Sequence, residues 1–307
     1  MIKSVSPSPL RAQLFRTFED PTYRPPPLPT VALELISLAA SDDVNVEQVV
    51  RLLERDQMLA GAVMRLVGSP IHAGRGPVRS LGDAVLRLGI KTVRDSVFDA
   101  ALRKSVFKAP PEFEATMNRI ARHGTATAYL ARSVCRVARV ADDQAFLGAL
   151  LHDVGYAALI LAVMRKKDAG ANSTSLRAPP QAVRIAEASS LADLWPEVDG
   201  MHEAASKAVT KLWGLSAELS LLVGSHHHEH TGNSARLAAV INIADFLSTR
   251  FDAHIVGPPG PDGVPLPACT ISAASVEDSL TLLGLKEDAL DRVEAEARPI
   301  LQEVLTL

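Results

Sequence analysis

Apolar residues recur at helical spacing along most of this 307-residue chain, and they almost nowhere alternate as they would in a strand. Between Leu59 and Val67 they occupy positions i, i+3, i+4, i+7 and i+8, which form one buried stripe on a helix. Capping side chains precede several such segments: Asn45 with Gln48, Asp56, and Ser80 with Asp83. This series of capped amphipathic segments predicts an all-α fold.

Proline and glycine clusters divide the chain into regions. Residues 1–27 end in a proline run and predict an extended tail or a docking arm. Pro110-Pro111 separates a first helical lobe, residues 28–110, from a second, residues 111–252. Residues 253–307 begin with a spacer that is expected to be flexible, Gly257–Gly263, and end in two helices. The second lobe is expected to contain helices at about 112–138, 142–152, 155–165, 180–194, 200–213, 216–227 and 234–250.

Composition and charge exclude several classes of protein. With 47% hydrophobic and 22% charged residues the chain has a globular balance, and it contains no run of eighteen apolar residues, so no membrane segment is expected. A net charge of -3 provides no general basic field, and nucleic acid is not expected as a partner. Cys135 and Cys269 do not have the spacing of a disulfide or a zinc knuckle, which favours a reducing, cytoplasmic location.

Histidines are clustered in the middle of the sequence. All but His72 and His254 of the nine lie between positions 123 and 230, among several carboxylates. Imidazole with carboxylate suits iron, manganese, zinc or nickel, and carboxylates also favour magnesium. His152-Asp153 ends one apolar helix, and Asp245 lies within another, where a carboxylate is costly unless it is paired or coordinated. The pattern predicts a site for a divalent metal.

The order His123, His152-Asp153, Asp245 resembles the H…HD…D signature of the HD superfamily of metal-dependent phosphohydrolases. Other segments resemble the HDOD family, the HD-related output domain, over about residues 25 to 250. These segments are Leu28-Pro29-Thr-Val, Leu52-Leu-Glu-Arg-Asp56-Gln-Met-Leu59-Ala, Ser80-Leu-Gly-Asp-Ala84-Val, Leu88-Gly89 and Trp213-Gly214-Leu215 with the later His226-His227.

This resemblance implies a bacterial signalling module, in a family where many members lack catalysis. His202, His226 and His227 stand where the related HD-GYP phosphodiesterases of cyclic di-GMP place additional metal ligands. Tyr156, however, follows Gly155 where the HD-GYP pattern has a lysine, and no Gly-Tyr-Pro triplet follows the histidines. The resulting candidate metal ligands are His123, His152, Asp153, His202, His226, His227 and Asp245.

The sequence leaves several functions open. The preferred interpretation is a non-catalytic module of HDOD type that acts on a signalling protein partner and retains a metal site. One alternative is a metal-dependent phosphohydrolase acting on nucleotides or cyclic dinucleotides, and a weaker one is a nucleotide receptor without turnover. A structural alternative applies to the histidines themselves, which can persist as hydrogen-bonded core residues, with residues 226–230 forming a solvated helix end.

Overall fold

A computed structural model describes residues 9–41, 43–72, 74, 76–140, 144–171, 190–228 and 233–305. Within these residues the regular structure is helical, and the only strand-like pairing is one bridge between Pro259 and Pro265. The predicted all-α fold is confirmed. In chain order the helices are α1 Pro9–Glu19, α2 Thr30–Ala39, α3 Val46–Leu53, α4 Gln57–Val67, α5 Leu81–Leu88, α6 Ile90–Ser105, α7 Pro111–Ala138, α8 Ala145–Leu151, α9 Val154–Ala171, α10 Leu191–Asp199, α11 His202–Leu212, α12 Ala217–Val223, α13 Asn233–Ser248, α14 Ala273–Leu283 and α15 Asp288–Val304.

The first lobe is built from α2 to α6, and three of these helices, α3, α4 and α5, begin at the predicted caps. Asn45 accepts from the Gln48 amide at 3.0 Å while the Gln48 side chain accepts from the Asn45 amide at 2.9 Å. Ser80 and Asp83 form the same reciprocal box at the start of α5. These bonds satisfy amides that the first helical turn leaves without partners, so the apolar stripes that follow are held in register with the core.

Part of the N-terminal region is helical and docked on the protein, instead of forming an extended tail. Residues Pro9–Glu19 form α1, whose Leu14 is fully buried. Arg11 donates to the carbonyl of Gly200 at 3.2 Å, and the Trp213 indole donates to the carbonyl of Pro26 at 3.0 Å. These contacts pack the segment on the second lobe. The local proline pattern does not reveal them, because their partners are distant in the sequence.

The second lobe is organised around α7, the longest helix. Gly124 lets α8 approach α7 closely, since a Cβ there would lie 2.9 Å from the carbonyl oxygen of Leu150. Helix α13 packs on α7 and α8, while α14 and α15 pack on α13 and α7. Arg122 of α7 donates to the carbonyl of Leu305 at 2.9 Å. The C-terminal helices thus belong to the same packed body as the second lobe.

Residues 252–271, here called the strap, include the predicted flexible spacer. Instead of being a free linker, the strap folds into a short hairpin, with Gly257 donating to Leu266 at 2.8 Å and Leu266 donating to Pro258 at 3.1 Å. Gly257 lies flat against the ring of Trp195, where a Cβ would come within 2.6 Å of the indole. The Trp195 indole donates to the carbonyl of Pro267 at 2.8 Å. Long-range contacts with α10 therefore order the segment.

Residues 145–164 are long and apolar enough to cross a membrane by composition, but 94% of that window is buried within the protein, as in the core helix of a folded domain. Most of the helix predicted at 180–194 lies outside the described residues, as do Asp142 and Asp143 at the predicted start of α8. The described part of that region contains α10, which begins at a capping box between Ser190 and Asp193.

Candidate metal centre

The His152-Asp153 pair occupies a turn between α8 and α9. The Ser206 hydroxyl donates to the carbonyl of His152 at 2.7 Å and accepts from the Gly155 amide at 2.8 Å. A Cβ on Gly155 would lie only 1.9 Å from the carbonyl oxygen of His202. Glycine is therefore required for α9 to touch the backbone of α11, and this contact places His202 beside the turn.

One side of the Asp153 carboxylate faces a first group of ligands. Oδ2 of Asp153 lies 3.2 Å from Nε2 of His123 and 3.2 Å from Nε2 of His152, and these two nitrogens are 3.0 Å apart. Asp245, on α13, brings its Oδ1 to 3.4 Å from Nε2 of His123. The four residues of the H…HD…D pattern therefore meet at one point, although they come from three different parts of the chain.

The other side of the same carboxylate faces a second group. Oδ1 of Asp153 lies 3.5 Å from Nε2 of His202 and 3.3 Å from Nε2 of His226. His227 stands next to them, its ring centroid 4.3 Å from that of His226. The ligand atoms of Asp153, His202, His226 and His227 lie within 4.8 Å of one another, and so do those of His123, His152 and Asp153. Asp153 belongs to both groups and could bridge two ions.

Hydrogen bonds from the opposite ring nitrogen orient the buried imidazoles. Nδ1 faces a backbone carbonyl in each of four histidines: His123 with Ala253 at 2.9 Å, His152 with Ala149 at 2.6 Å, His202 with Asp199 at 2.5 Å and His226 with Val223 at 2.9 Å. Because a carbonyl only accepts, Nδ1 must carry the proton. Nε2 is then available as a ligand, and a backbone partner of this kind is typical of metal-binding histidines.

The charges of the centre depend on one another. Burial opposes ionisation of Asp153, but the imidazoles around it, His152 foremost, hold the pKa of its carboxyl well below the usual range. Burial also opposes a charged His152, yet the Asp153 carboxylate raises the pKa of that imidazole to about 9. Burial lowers the pKa of His202 and brings that of His227 to about 4. At neutral pH His202 and His227 are therefore neutral imidazoles beside an anion.

The donor set fits a divalent metal ion. Oδ1 of Asp153 is buried and has no hydrogen-bond partner among the described residues. A buried carboxylate oxygen without a donor is costly, and a cation would satisfy it. Neutral imidazole nitrogens with carboxylate oxygens suit zinc, iron, manganese or nickel. The identity of the metal stays open.

A second layer of side chains supports the second group. The Tyr156 ring stacks on that of His202, with centroids 4.5 Å apart and an angle of 8° between the planes, and its hydroxyl donates to Asp199 at 2.6 Å. Glu203 accepts from the His227 amide at 2.9 Å and lies 3.3 Å from Nε2 of His228. Tyr156, held by its hydrogen bond to Asp199, thus supports the ring of His202.

The strap covers the centre on the side of Asp245. Between them the described residues leave a cavity of about 20 Å³, lined by strap residues together with His123, Asp153 and Asp245. A cavity of this size has room for about one water molecule. His254 and Cys269 of the strap line it, and Nδ1 of His254 is buried without a partner among the described residues. The strap therefore narrows the space beside the centre on the Asp245 side.

The structure brings all seven predicted ligand residues together, while their role as ligands remains a prediction. The predicted solvated helix end at residues 226–230 is only partly described: His226 is buried, the His228 side chain is 72% exposed, and Glu229 and His230 lie outside the described residues. Sequence reasoning missed His254, Cys269 and Asp199. In the sequence these three residues are only polar residues at or near the end of a helix or a proline-rich segment. Such residues are too common to indicate a site.

Comparison with known proteins supports the assignment of the fold. The family model of the HDOD domain matches residues 26–229. An HDOD domain protein of unknown function from Geobacter sulfurreducens has 20% sequence identity and a TM-score of 0.65, with 97% of this chain and 99% of that chain covered. A proposed metal-dependent phosphohydrolase from Shewanella amazonensis has 17% identity and a TM-score of 0.60, with 94% and 98% covered.

A proposed signal transduction protein from Marinobacter aquaeolei has 19% identity and a TM-score of 0.58, and the match covers 95% of this chain and 66% of that one. At these identities the likeness concerns the fold alone. No match was found among curated proteins.

Proposed function

The chain belongs to the HDOD domain family, and we propose that it is a signalling module that binds a partner protein and holds a metal ion in its His/Asp centre. One observation carries the proposal: the ligands are assembled, but the strap leaves only about 20 Å³ beside them. Pockets for small-molecule ligands usually have volumes of several hundred Å³. The smaller space beside these ligands therefore favours retention of an ion over binding of a substrate.

The residues that would hold the ion form the two groups around Asp153. His123, His152 and Asp245 would hold an ion on the Oδ2 side, and the second-group histidines on the Oδ1 side. An ion on the Oδ2 side would link α7, the α8–α9 turn and α13, and an ion on the Oδ1 side would link that turn to α11. The binding free energy would add to the stability of the fold. The function of the centre in this proposal is to define the shape of the second lobe that a partner recognises.

Metal analysis of full-length protein purified without chelator tests the first half of the proposal. We expect bound metal in the wild type and its loss in Asp153→Ala. The matched control Asp43→Ala, which changes an exposed carboxylate in the first lobe, should retain the metal. A wild type that remains metal-free after separate incubation with Mn²⁺, Fe²⁺ and Zn²⁺ would contradict this half of the proposal. Affinity purification with both variants as bait tests the second half: we expect a partner that the wild type and Asp43→Ala retain and folded Asp153→Ala does not.

The second candidate is a metal-dependent phosphohydrolase, and the complete donor set on both sides of Asp153 favours it. The neighbour from Shewanella amazonensis is described in those terms. A divalent ion in such a site supplies Lewis-acid polarisation of a phosphate ester. The chain would contribute orientation by the four carbonyl-anchored imidazoles and exclusion of water by the strap, which would have to move to admit the ester.

Hydrolysis assays separate the two candidates. Metal-loaded wild type is incubated with bis(p-nitrophenyl) phosphate and, separately, with a cyclic dinucleotide. The signalling proposal predicts no turnover above the level of Asp153→Ala. Multiple turnovers by the wild type, lost in a folded Asp153→Ala protein, would establish the hydrolase instead.

A further inference from the structure

Both ends of the strap are hydrogen-bonded to groups that orient ligands of the centre. At its start, the carbonyl of Ala253 accepts from Nδ1 of His123 at 2.9 Å. Near its end, the amide of Cys269 donates to Oδ1 of Asp199 at 2.8 Å. The first bond orients a ligand of the first group, and the second reaches the support of the second group. The strap is thus connected to both sides of Asp153.

Asp199 is the junction at the second end. Its backbone carbonyl accepts from Nδ1 of His202 at 2.5 Å, so it orients that imidazole. Its carboxylate accepts from the Tyr156 hydroxyl at 2.6 Å and from the strap at Cys269. Tyr156 in turn stacks on His202. A single residue therefore orients a candidate ligand through its main chain and holds the strap through its side chain.

The middle of the strap continues this stack of rings. Trp195 stacks on Tyr156 with ring centroids 5.4 Å apart and planes 16° from parallel. On the same indole lie Gly257 and the hydrogen bond to Pro267. The path from His202 through Tyr156 and Trp195 to the strap consists of packed rings, which transmit a displacement because close-packed groups have little room to absorb it.

Beyond the strap, the chain enters α14 directly. Ser272 caps that helix by accepting from the Ser275 amide at 3.1 Å, and α14 packs on α13, which carries Asp245. Leu282 on α14 is 50% exposed. A change in the strap therefore reaches α14, which is joined to the strap in sequence and packs on α13 beside the centre.

We propose that the strap is the output element of the His/Asp centre: metal in the centre fixes His123 and His202, and these imidazoles hold the strap closed against α10. The inference rests on the proposed function, because it needs a metal-binding centre, and it adds how occupancy would be communicated to a partner. When the metal is removed, the two imidazoles lose their fixed positions, and the bonds at Ala253 and Cys269 weaken.

Hydrogen–deuterium exchange of the full chain tests this inference. Peptides covering residues 253–270 are compared between Mn²⁺-loaded and chelated protein, with α4 in the first lobe as an internal reference. We expect strap amides to exchange about fivefold faster after chelation, which corresponds to the net loss of about one hydrogen bond, while α4 is unchanged. Equal exchange in the two states would overturn the proposal.

Variants of Asp199 distinguish coupling from simple proximity. Asp199→Ala removes the acceptor for Tyr156 and Cys269 but keeps the carbonyl that orients His202, so the strap should exchange rapidly with or without metal. Asp199→Asn keeps an acceptor oxygen and should restore the metal dependence. Glu197→Gln, on the same helix, is the matched control and should behave as wild type. The Glu197 side chain makes no hydrogen bond or ion pair with a described residue.

Reciprocity provides a second readout. If metal closes the strap, a closed strap must favour metal by the same factor, so Asp199→Ala should bind Mn²⁺ about fivefold more weakly. Unchanged Mn²⁺ affinity in folded Asp199→Ala would overturn the inference while leaving the metal-binding proposal intact. A wild type that binds no Mn²⁺, measured by metal analysis, would overturn both, and loss of partner capture alone would affect only the proposed function.

Discussion

Gly155→Ala is the sharpest test of how the centre is assembled. A Cβ at this position would lie 1.9 Å from the carbonyl oxygen of His202, 2.6 Å from the amide nitrogen of Ser206 and 2.8 Å from its hydroxyl. Two of these atoms are backbone, so no side-chain rotation relieves the contact. Real Cβ atoms essentially never come closer than 3.0 Å, and α9 and α11 must therefore separate by about 1 Å.

The separation has two consequences of calculable size. Overpacking of a close-packed core costs roughly 1–3 kcal/mol, and the additional loss of the Ser206 bonds to Gly155 and His152 adds about 1 kcal/mol for each. We therefore expect the free energy of unfolding to fall by about 3–5 kcal/mol. A metal site tolerates errors of about 0.2 Å, so a shift of His202 by about 1 Å should remove it from the second group of ligands.

Urea denaturation of the chelated protein and metal analysis of the loaded protein measure the two effects separately. Gly61→Ala is the matched control: it replaces a helical glycine on α4 whose Cβ would meet only the tip of Arg65 at 3.7 Å. That substitution should raise the stability by about 0.5–1 kcal/mol. If Gly155→Ala keeps wild-type stability and metal content, α9 and α11 are not in contact at this point and the reasoning about the centre is refuted.

Three further predictions concern separate parts of the molecule. Burial opposes a charged His152, but Asp153 raises the pKa of its imidazole to about 9. The protonated imidazole therefore stabilises the folded metal-free protein, and this contribution is complete below about pH 6.5, the pKa of His152 in the unfolded chain. This contribution is lost as the pH rises towards 9, so urea denaturation of chelated protein should show a decrease of up to about 3 kcal/mol over that range. Metal-loaded protein should not show it, because a coordinating imidazole is unprotonated, and a flat chelated profile would contradict the prediction. Ser206→Ala should destabilise by about 1–3 kcal/mol through the partners that it leaves unsatisfied, and thermal melts beside the exposed Ser37→Ala control check this. Leu14→Ala should destabilise by about 2–5 kcal/mol if α1 is part of the core, whereas an effect below about 0.5 kcal/mol would mark it as a peripheral arm.

The local signals in the sequence were sufficient for much of the fold. The boxes at Asn45 and Ser80 predicted helix starts because a cap and its partner are only three residues apart. The Pro110-Pro111 pair predicted the boundary before α7, and the helix expected at about 112–138 spans Pro111–Ala138. Features that depend on distant residues could not be predicted in this way, and α1 is the clearest case, since its place is set by contacts with Gly200 and the rest of the second lobe.

The candidate centre shows the same division. His123, His152, Asp153 and Asp245 were identifiable from residue type and order. The carbonyls that orient them were not, because a backbone acceptor has no sequence signature and Ala253 is 130 residues from His123. The sequence of Gly257–Gly263 predicts a flexible spacer, because its prolines and glycines give no sign of the distant Trp195 that packs against the strap.

The wide spacing of the ligands also determines when the centre can exist during folding. His123 and the Ala253 carbonyl that orients it are separated by 130 residues, and closing so long a loop in an unfolded chain is entropically costly. The helices must therefore dock before the ligands meet, and an ion added to the unfolded chain should not act as a folding nucleus. The ion would enter a nearly native chain and slow its unfolding, so that metal depletion is expressed as a shorter lifetime of the folded protein and not as slower folding.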